Sequence, residues 1–338
     1  RQTAEKIWNW VLPFARYGFN KSHAASYARI TYLTAWLKTY YPNAFMAALL
    51  TSDFGNLDRI AIEIAECKRL KIKVNPPSVN TSFAEFGIDK KTGDIFFSLA
   101  AIKNVGEGVA LAIQEERQKN GEFKNLTDFL KRIPRQLLNK KALESLIKAG
   151  ALDCFGKREL MADHLDEILN WSTRFNNSKN DHQMRLFQEE SSDELLDSLK
   201  EKYSKTSEDK GRRMNWEKEY LGLYLTSHPL DSYKNILGKI ALTATQLTPY
   251  YLGKKIKVCG FVSKIQQVRT KVGKPMVFTR LADYDNSIEV VLYPAILNNY
   301  ADVLREDRVL LVEGRMDKRN GSYQIIGEKL EAIEPMEG

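Results

Sequence analysis

The chain has 338 residues, with 51 Lys and Arg against 43 Asp and Glu, a formal net charge of +8, 43% hydrophobic and 10% aromatic residues. This composition excludes a wholly disordered, collagen-like or disulfide-framed protein, and the three far-apart cysteines (Cys67, Cys154, Cys259) form no CxxC pair and argue against a zinc ribbon or finger. No apolar run reaches the roughly 20 residues of a membrane helix, so a reducing, cytoplasmic setting without a membrane partner is expected, and the start at Arg1 rather than Met reads as a piece of something longer.

The charge is uneven along the chain: residues 1–160 carry +9, residues 161–250 carry −3 and residues 251–338 carry +2. A polyanionic partner is therefore expected first of the N-terminal half. Ile7, Trp8, Val11, Leu12 and Phe14 predict a short helix from Glu5 to Tyr17, broken near Pro13. Ser22 is read as the N-cap of a long helix to Tyr40, followed by helices from Pro42 to Leu50 and from Asp58 to Leu70. Pro76-Pro77 closes this block.

Phe86-Gly87-Ile88 and Ile95 to Leu99, around a turn at Lys91-Thr92-Gly93, predict a small β-hairpin. Ile102 to Glu116 reads as a turn feeding a helix, and Lys140 to Ile147 as a second helix running into Ala149-Gly150-Ala151, with another starting near Arg158. From Asn176 to Arg213 the apolar period is lost in a polar tract, read as a mobile connector with one apolar island at Met184 to Phe187; a helix from Trp216 to Tyr224 then ends before Pro229. Strands are predicted around Ile256 to Val262, at Met276–Leu281, Ile288–Leu292, Val309–Glu313 and Tyr323–Ile326, with a helix from Pro294 to Leu304 between the third and fourth. Five strands with one helix in that place is the order of an OB-fold barrel.

Three sites follow from these elements. Gly106 and Gly108 ahead of a helix fit a helix-hairpin-helix unit, in which glycines let a DNA phosphate approach and the N–H groups opening the helix point at it; Lys103, Val105 and Glu107 belong to the same turn. Gly150 and Ala151 repeat the design with one glycine, making a tandem pair, and an ordinary glycine-containing turn is the alternative reading of each. Such binding ignores base sequence and falls with salt. Gln183-Met184-Arg185-Leu186-Phe187 has the pattern of peptides that dock on the bacterial sliding clamp, Leu186 and Phe187 filling an apolar groove, Met184 between them and the Gln183 amide at its rim; a chance apolar pair is the alternative. In the barrel, Lys257 and Phe261 share one face of the first strand, and Arg269, Lys271 and Lys274 crowd the first loop, which suits single-stranded DNA; a structural or protein-binding barrel is the alternative.

Asp283-Tyr284-Asp285 is spaced like a two-metal carboxylate pair but falls at a turn before Asn286, where Asp is ordinary turn chemistry. His23, His164, His182 and His228 have no partner at triad or metal spacing and read as caps, surface or packing residues. No catalytic or metal site is expected.

Tyr17 to Tyr27, Thr34 to Lys38, Tyr41 to Ala48, Ala101 to Gly106 and Leu221 to Leu230 resemble the bacterial replicative DNA polymerase III alpha subunits, the C-family polymerases, over nearly the whole chain. The resemblance implies a multidomain α+β C-terminal fragment: the helical end of the fingers at 1–80, a tandem helix-hairpin-helix domain at 81–175, a connector with the clamp peptide at 176–213, a helical linker at 214–250 and an OB-fold at 251–338. It implies a parent that extends DNA with two Mg²⁺ ions on palm aspartates lying outside this chain, so the chain alone is expected to be no enzyme and to hold no cofactor. Implied partners are primer–template duplex, single-stranded template and the sliding clamp (beta subunit), and, for the parent, the clamp-loader tau subunit and the proofreading exonuclease subunit. For Asn20, Lys21, Ser22 and His23 it implies a place near the incoming nucleotide or template, with a helix N-cap as the alternative. A stand-alone DNA-binding module of a repair protein and a tRNA-binding accessory protein are the competing functions.

Overall fold

The computed structural model describes residues 1–16, 20–178, 209–233, 238–270, 272–284, 286–319 and 321–334. The chain is multidomain and mixed α+β, divided by its contacts into two units, Arg1–Glu208 with Glu219–Gly222 and Asp209–Lys218 with Leu223–Gly338.

The first unit begins with α1 (Gln2–Arg16), α2 (Lys21–Tyr40), α3 (Pro42–Ser52) and α4 (Leu57–Arg69). Contrary to expectation, α1 runs through Pro13. The cap of α2 is Asn20 rather than Ser22: its side chain accepts the His23 N–H at 3.0 Å. A three-stranded sheet follows, β1 (Val74–Asn75), β2 (Gly87–Ile88) and β3 (Ile95–Phe96), in the order β1-β3-β2. The expected β2–β3 hairpin is present, and β1, too short to carry an alternation, joins it in parallel. Then come α5 (Glu107–Asn120), α6 (Leu126–Arg132), α7 (Lys140–Lys148), α8 (Arg158–Asp163) and α9 (Leu165–Ser178).

Asn56, Asn125 and Asn139 cap α4, α6 and α7, each accepting the amide three residues on. Phe97, Phe129, Leu50, Ile60, Leu99 and Ile113 are fully buried in this unit. By contrast, none of the α2 residues is buried, although they include Tyr27, Ile30, Leu33, Trp36 and Leu37.

One buried carboxyl makes the first unit pH-sensitive. Glu63 on α4 is 6% exposed, its Oε2 has no hydrogen-bond partner among the described residues, and Oε1 lies 3.8 Å from Arg59 Nη2. Burial, and then the neighbouring Asp53 carboxylate, push its pKa from 4.5 to about 7. An acid raised in this way contributes stability that is complete below its unfolded pKa and is lost as the pH rises through its folded one. Asp53 shifts downward from 3.8, so its own contribution changes only in more acidic solution. The first unit is therefore expected to melt a few degrees lower at about pH 8.5 than at about pH 5.5, and Glu63→Gln to remove that difference. Thermal melts of both proteins at the two pH values check this; an equal difference in the variant would acquit Glu63.

The helix α10 (Lys210–Leu221), of which residues 210–218 fall in the second unit, ends earlier than expected. The Glu217 carboxylate accepts the N–H groups of Leu225 and Thr226 at 2.8 and 3.0 Å and the Thr226 hydroxyl, which holds the following loop. The barrel is closed in the order β4-β5-β6-β8-β7, from β4 (Lys255–Arg269), β5 (Pro275–Ala282), β6 (Ser287–Leu292), β7 (Val309–Arg319) and β8 (Ser322–Ala332). α11 (Pro294–Tyr300) lies between β6 and β7 in sequence, as predicted. Strand β4 pairs with β7 through its first half and with β5 through its second. At the changeover, a Cβ on Gly260 would lie 2.7 Å from the Ala282 carbonyl oxygen. The parallel β6–β8 pair closes the ring. Val258, Val262, Val290, Leu292, Leu310, Val312 and Ile325 fill the interior.

Candidate nucleic-acid interface

The turn before α5 is held from within. Val105 donates to the Ile102 carbonyl at 3.0 Å and is 3% exposed, and Asn104 has φ +66° with its Nδ2 3.2 Å from Ser145 Oγ. Val105 thus anchors the turn and offers no side chain outward. Gly106 is the cap of α5, and its carbonyl accepts from Val109 and Ala110. Gly106, Glu107 and Gly108 are exposed, and among the described residues their N–H groups have no acceptor. Among the described residues a Cβ at Gly106 or Gly108 would meet nothing within 4 Å, so packing against them does not call for glycine there. The space is open for a group arriving from outside, at a helix end with free donors. Lys103 is exposed beside it, 3.9 Å from the Glu219 carboxylate, while Glu107 sits in the first turn of α5 as an opposing charge.

The second hairpin is different. Gly150 has φ +84° and is buried with Ala151. Their N–H groups donate to the carbonyls of Ile147 and Leu146, both at 2.9 Å. The space where a Gly150 side chain would stand is filled by the Arg158 guanidinium, which is 2% exposed and bonds to Asp153 (2.7 Å) and to the Lys148 carbonyl (3.3 Å). Here glycine serves a left-handed helix end packed on an arginine, and neither Gly150 nor Ala151 presents a free donor to a phosphate.

At the start of α2, Asn20, Lys21, Ser22 and His23 are all exposed. The Asn20 side chain is engaged as the cap, and the His23 ring packs on Tyr27 with centroids 4.5 Å apart.

On the barrel, Lys257, Arg269 and Lys274 are exposed as expected, and Lys271 lies outside the described residues. Phe261 is on the outer face with Lys257 but is only 6% exposed. The segment from Tyr224 to Leu230 covers it: the Tyr224 and His228 rings lie 5.9 and 5.1 Å away, His228 packs on Tyr284 at 4.6 Å, and the Tyr224 hydroxyl donates to Asp307 at 2.6 Å. Phe261 therefore offers no stacking face, a correction to the sequence reading that comes from a segment some 35 residues away.

The open surface is elsewhere. Arg280, Glu289, Gln324 and Asp317 face one another in register across β5, β6, β8 and β7. Gln324 Nε2 donates to Asp317 at 3.0 Å. Arg280, Arg319, Tyr323 and Gln324 line a polar groove of about 560 Å³. The predicted β7 stopped at Glu313, short of Asp317 and Arg319, so this row was missed. The Arg319 and Tyr323 pair flanking the Asn320-Gly321 turn was the available signal.

Among the described residues no group of three or more His, Cys, Asp or Glu could hold a metal ion. Asp283 accepts from Thr245 N–H (2.6 Å), Thr245 Oγ1 (3.0 Å) and Asn286 N–H (2.8 Å), the turn role expected of it, and Asp285 lies outside the described residues. No helix is long and apolar enough to cross a membrane among the described residues. Gln183, Met184, Leu186 and Phe187 also lie outside the described residues, as does His182.

Comparison with known proteins matches the Helix-hairpin-helix motif family to residues 71–161 and the OB-fold nucleic acid binding domain family to residues 256–333. The DNA polymerase III subunit alpha of Saccharopolyspora erythraea is 37% identical over 96% of this chain and 28% of its own length. That of Thermus aquaticus is 37% identical over 94% and 26%, and that of Bacillus subtilis 36% over 99% and 29%. The chain thus spans a little over a quarter of the length of these relatives. Matched along nearly all of its residues and carrying both domains, the chain belongs to the DNA polymerase III alpha subunit family.

Proposed function

We propose that this chain is the part of a replicative polymerase that holds primer–template DNA and tethers the enzyme to the sliding clamp. The observation that carries the DNA reading is the exposed Gly106–Gly108 turn, with its unengaged N–H groups and open Cβ positions, in the half of the chain that carries +9. Duplex phosphates would meet that turn and Lys103. A single template strand would lie in the Arg280–Arg319 groove, with Arg269, Lys274 and Lys257 adding charge. Gln183, Met184, Leu186 and Phe187 would bind the clamp, and a weak contact on a ring that stays on DNA acts through effective concentration. DNA synthesis with Mg²⁺, and engagement of the tau and exonuclease subunits, belong in this proposal to the whole cytoplasmic polymerase. Alone with primed template, Mg²⁺ and nucleotides, the chain is expected to extend nothing. Asn20 to His23 would stand near template or nucleotide.

The test of the groove is single-strand affinity. Replacing Arg280 and Arg319 with Ala should weaken binding of an oligothymidylate about tenfold and make its salt slope shallower by about 1.4, the value for two phosphate contacts. Anisotropy titrations across a salt series read both numbers. An unchanged slope would move the strand off this groove.

A further inference from the structure

Between the β-sheet and α5 of the first unit lies a cavity of about 320 Å³, lined among others by Phe54, Phe83, Phe86, Glu85, Glu107 and Gln114. Its walls are fixed by the chain itself. The Ala84 N–H donates to Gln114 Oε1 at 2.8 Å, tying the loop to α5, and the Phe86 N–H donates to Thr51 Oγ1 at 3.3 Å. Phe86 packs on Phe97 at 5.0 Å and on Phe54 at 5.9 Å. The Phe83 ring lies where a side chain on Gly87 would stand.

The lining holds two carboxylates and no cation, within the half of the chain that carries +9, and its Phe83 wall already carries the Arg117 guanidinium 5.5 Å from the ring centroid. Among the described residues neither Glu85 nor Glu107 forms an ion pair, and both are exposed. The volume is at the lower end of the roughly 300–1,000 Å³ range of ligand pockets, enough for one long side chain rather than a cofactor. Aromatic faces beside carboxylates match a flat cation: a guanidinium lies against the rings while its edge donates to the carboxylate oxygens. An ammonium, more strongly hydrated and without the planar fork, fits less well.

We propose that this cavity is a docking pocket for a single arginine side chain presented by a basic segment of a partner protein. Glu85 and Glu107 pair with the guanidinium, and Phe54, Phe83 and Phe86 cover its stem. The pocket shares Glu107 with the turn proposed to meet duplex phosphate, and its test uses no DNA, so its failure and that of the DNA reading are distinguished.

The experiment titrates the full chain, observed by NMR, with the capped tripeptide Gly-Arg-Gly and with its lysine and citrulline counterparts. Expected are shifts centred on Phe54, Phe86 and Leu111 with the arginine peptide, at least about tenfold weaker binding of the citrulline peptide, and weaker binding of the lysine peptide. Glu85→Gln with Glu107→Gln should lower arginine-peptide affinity about tenfold. Leu111→Arg, which sets a competing guanidinium on the cavity wall, should abolish it. Equal binding of the citrulline or lysine peptide, shifts elsewhere, or undiminished binding in both variants would overturn the proposal.

Discussion

Replacing Leu186 and Phe187 together with alanine is expected to lower affinity for a bacterial sliding clamp by at least about 100-fold while leaving duplex DNA affinity within about twofold of the parent. Each side chain, buried in an apolar groove, contributes about 1.5–3 kcal/mol, and the loss of two such anchors is a loss of most of a short peptide's binding. Gln183 and Met184 remain in that variant and supply too little apolar area to replace the pair. Net charge is unchanged by the double substitution, so the electrostatic share of duplex binding stays as it was. Surface-bound clamp titrated with the two proteins, alongside duplex anisotropy at matched salt, separates the two effects. Clamp affinity that survives the substitution would remove the tether from the proposal and leave the DNA contacts standing.

The second large effect divides the two hairpins. Gly150→Val forces a β-branched residue to φ +84° and drives its Cβ into the buried Arg158 guanidinium. The left-handed conformation costs about 1–2 kcal/mol, and displacing a buried, paired charge adds more, so the first unit should lose about 3–5 kcal/mol and melt roughly 10 °C lower. Gly106→Val combined with Gly108→Val meets nothing within 4 Å and should shift melting by no more than about 3 °C. Its effect belongs to binding: about tenfold weaker duplex affinity and a shallower salt slope, because two side chains now stand where phosphates would approach the free N–H groups. Calorimetry of all three proteins, with duplex titrations over a salt series, reads the contrast. If the double variant binds duplex with the parent's affinity and slope, the first hairpin is not the DNA contact.

Much of the architecture was legible from residue order alone. The helices after Asn56 and Asn139 were read from their apolar period, whereas the caps Asn56, Asn125 and Asn139 were not read, although a short side-chain acceptor that satisfies an amide the helix leaves free is a purely local signal. The five strands and the helix after the third were readable for the same reason: alternation and turn residues act over a few positions, and the barrel order follows from their sequence. Pro13 was misjudged because helix continuity through a proline depends on more than its local penalty. The early end given to β7 hid part of the row that forms the groove, and Arg319 and Gln324 become neighbours of Arg280 and Glu289 only when the barrel closes.

By itself the sequence determined the family, the order of most helices and of the five barrel strands, the two nucleic-acid-binding folds and the location of the basic excess, all of which rest on local pattern or on extended identity. Tertiary structure alone decided which of two similar glycine turns is open, because Arg158 packs on Gly150 while none of the described residues comes within 4 Å of a Cβ at Gly106 or Gly108. It likewise decided that Phe261 is covered and that Arg280 and Arg319 share a groove. A period of two says which residues share a strand face, and only the packing of distant segments says what lies on that face.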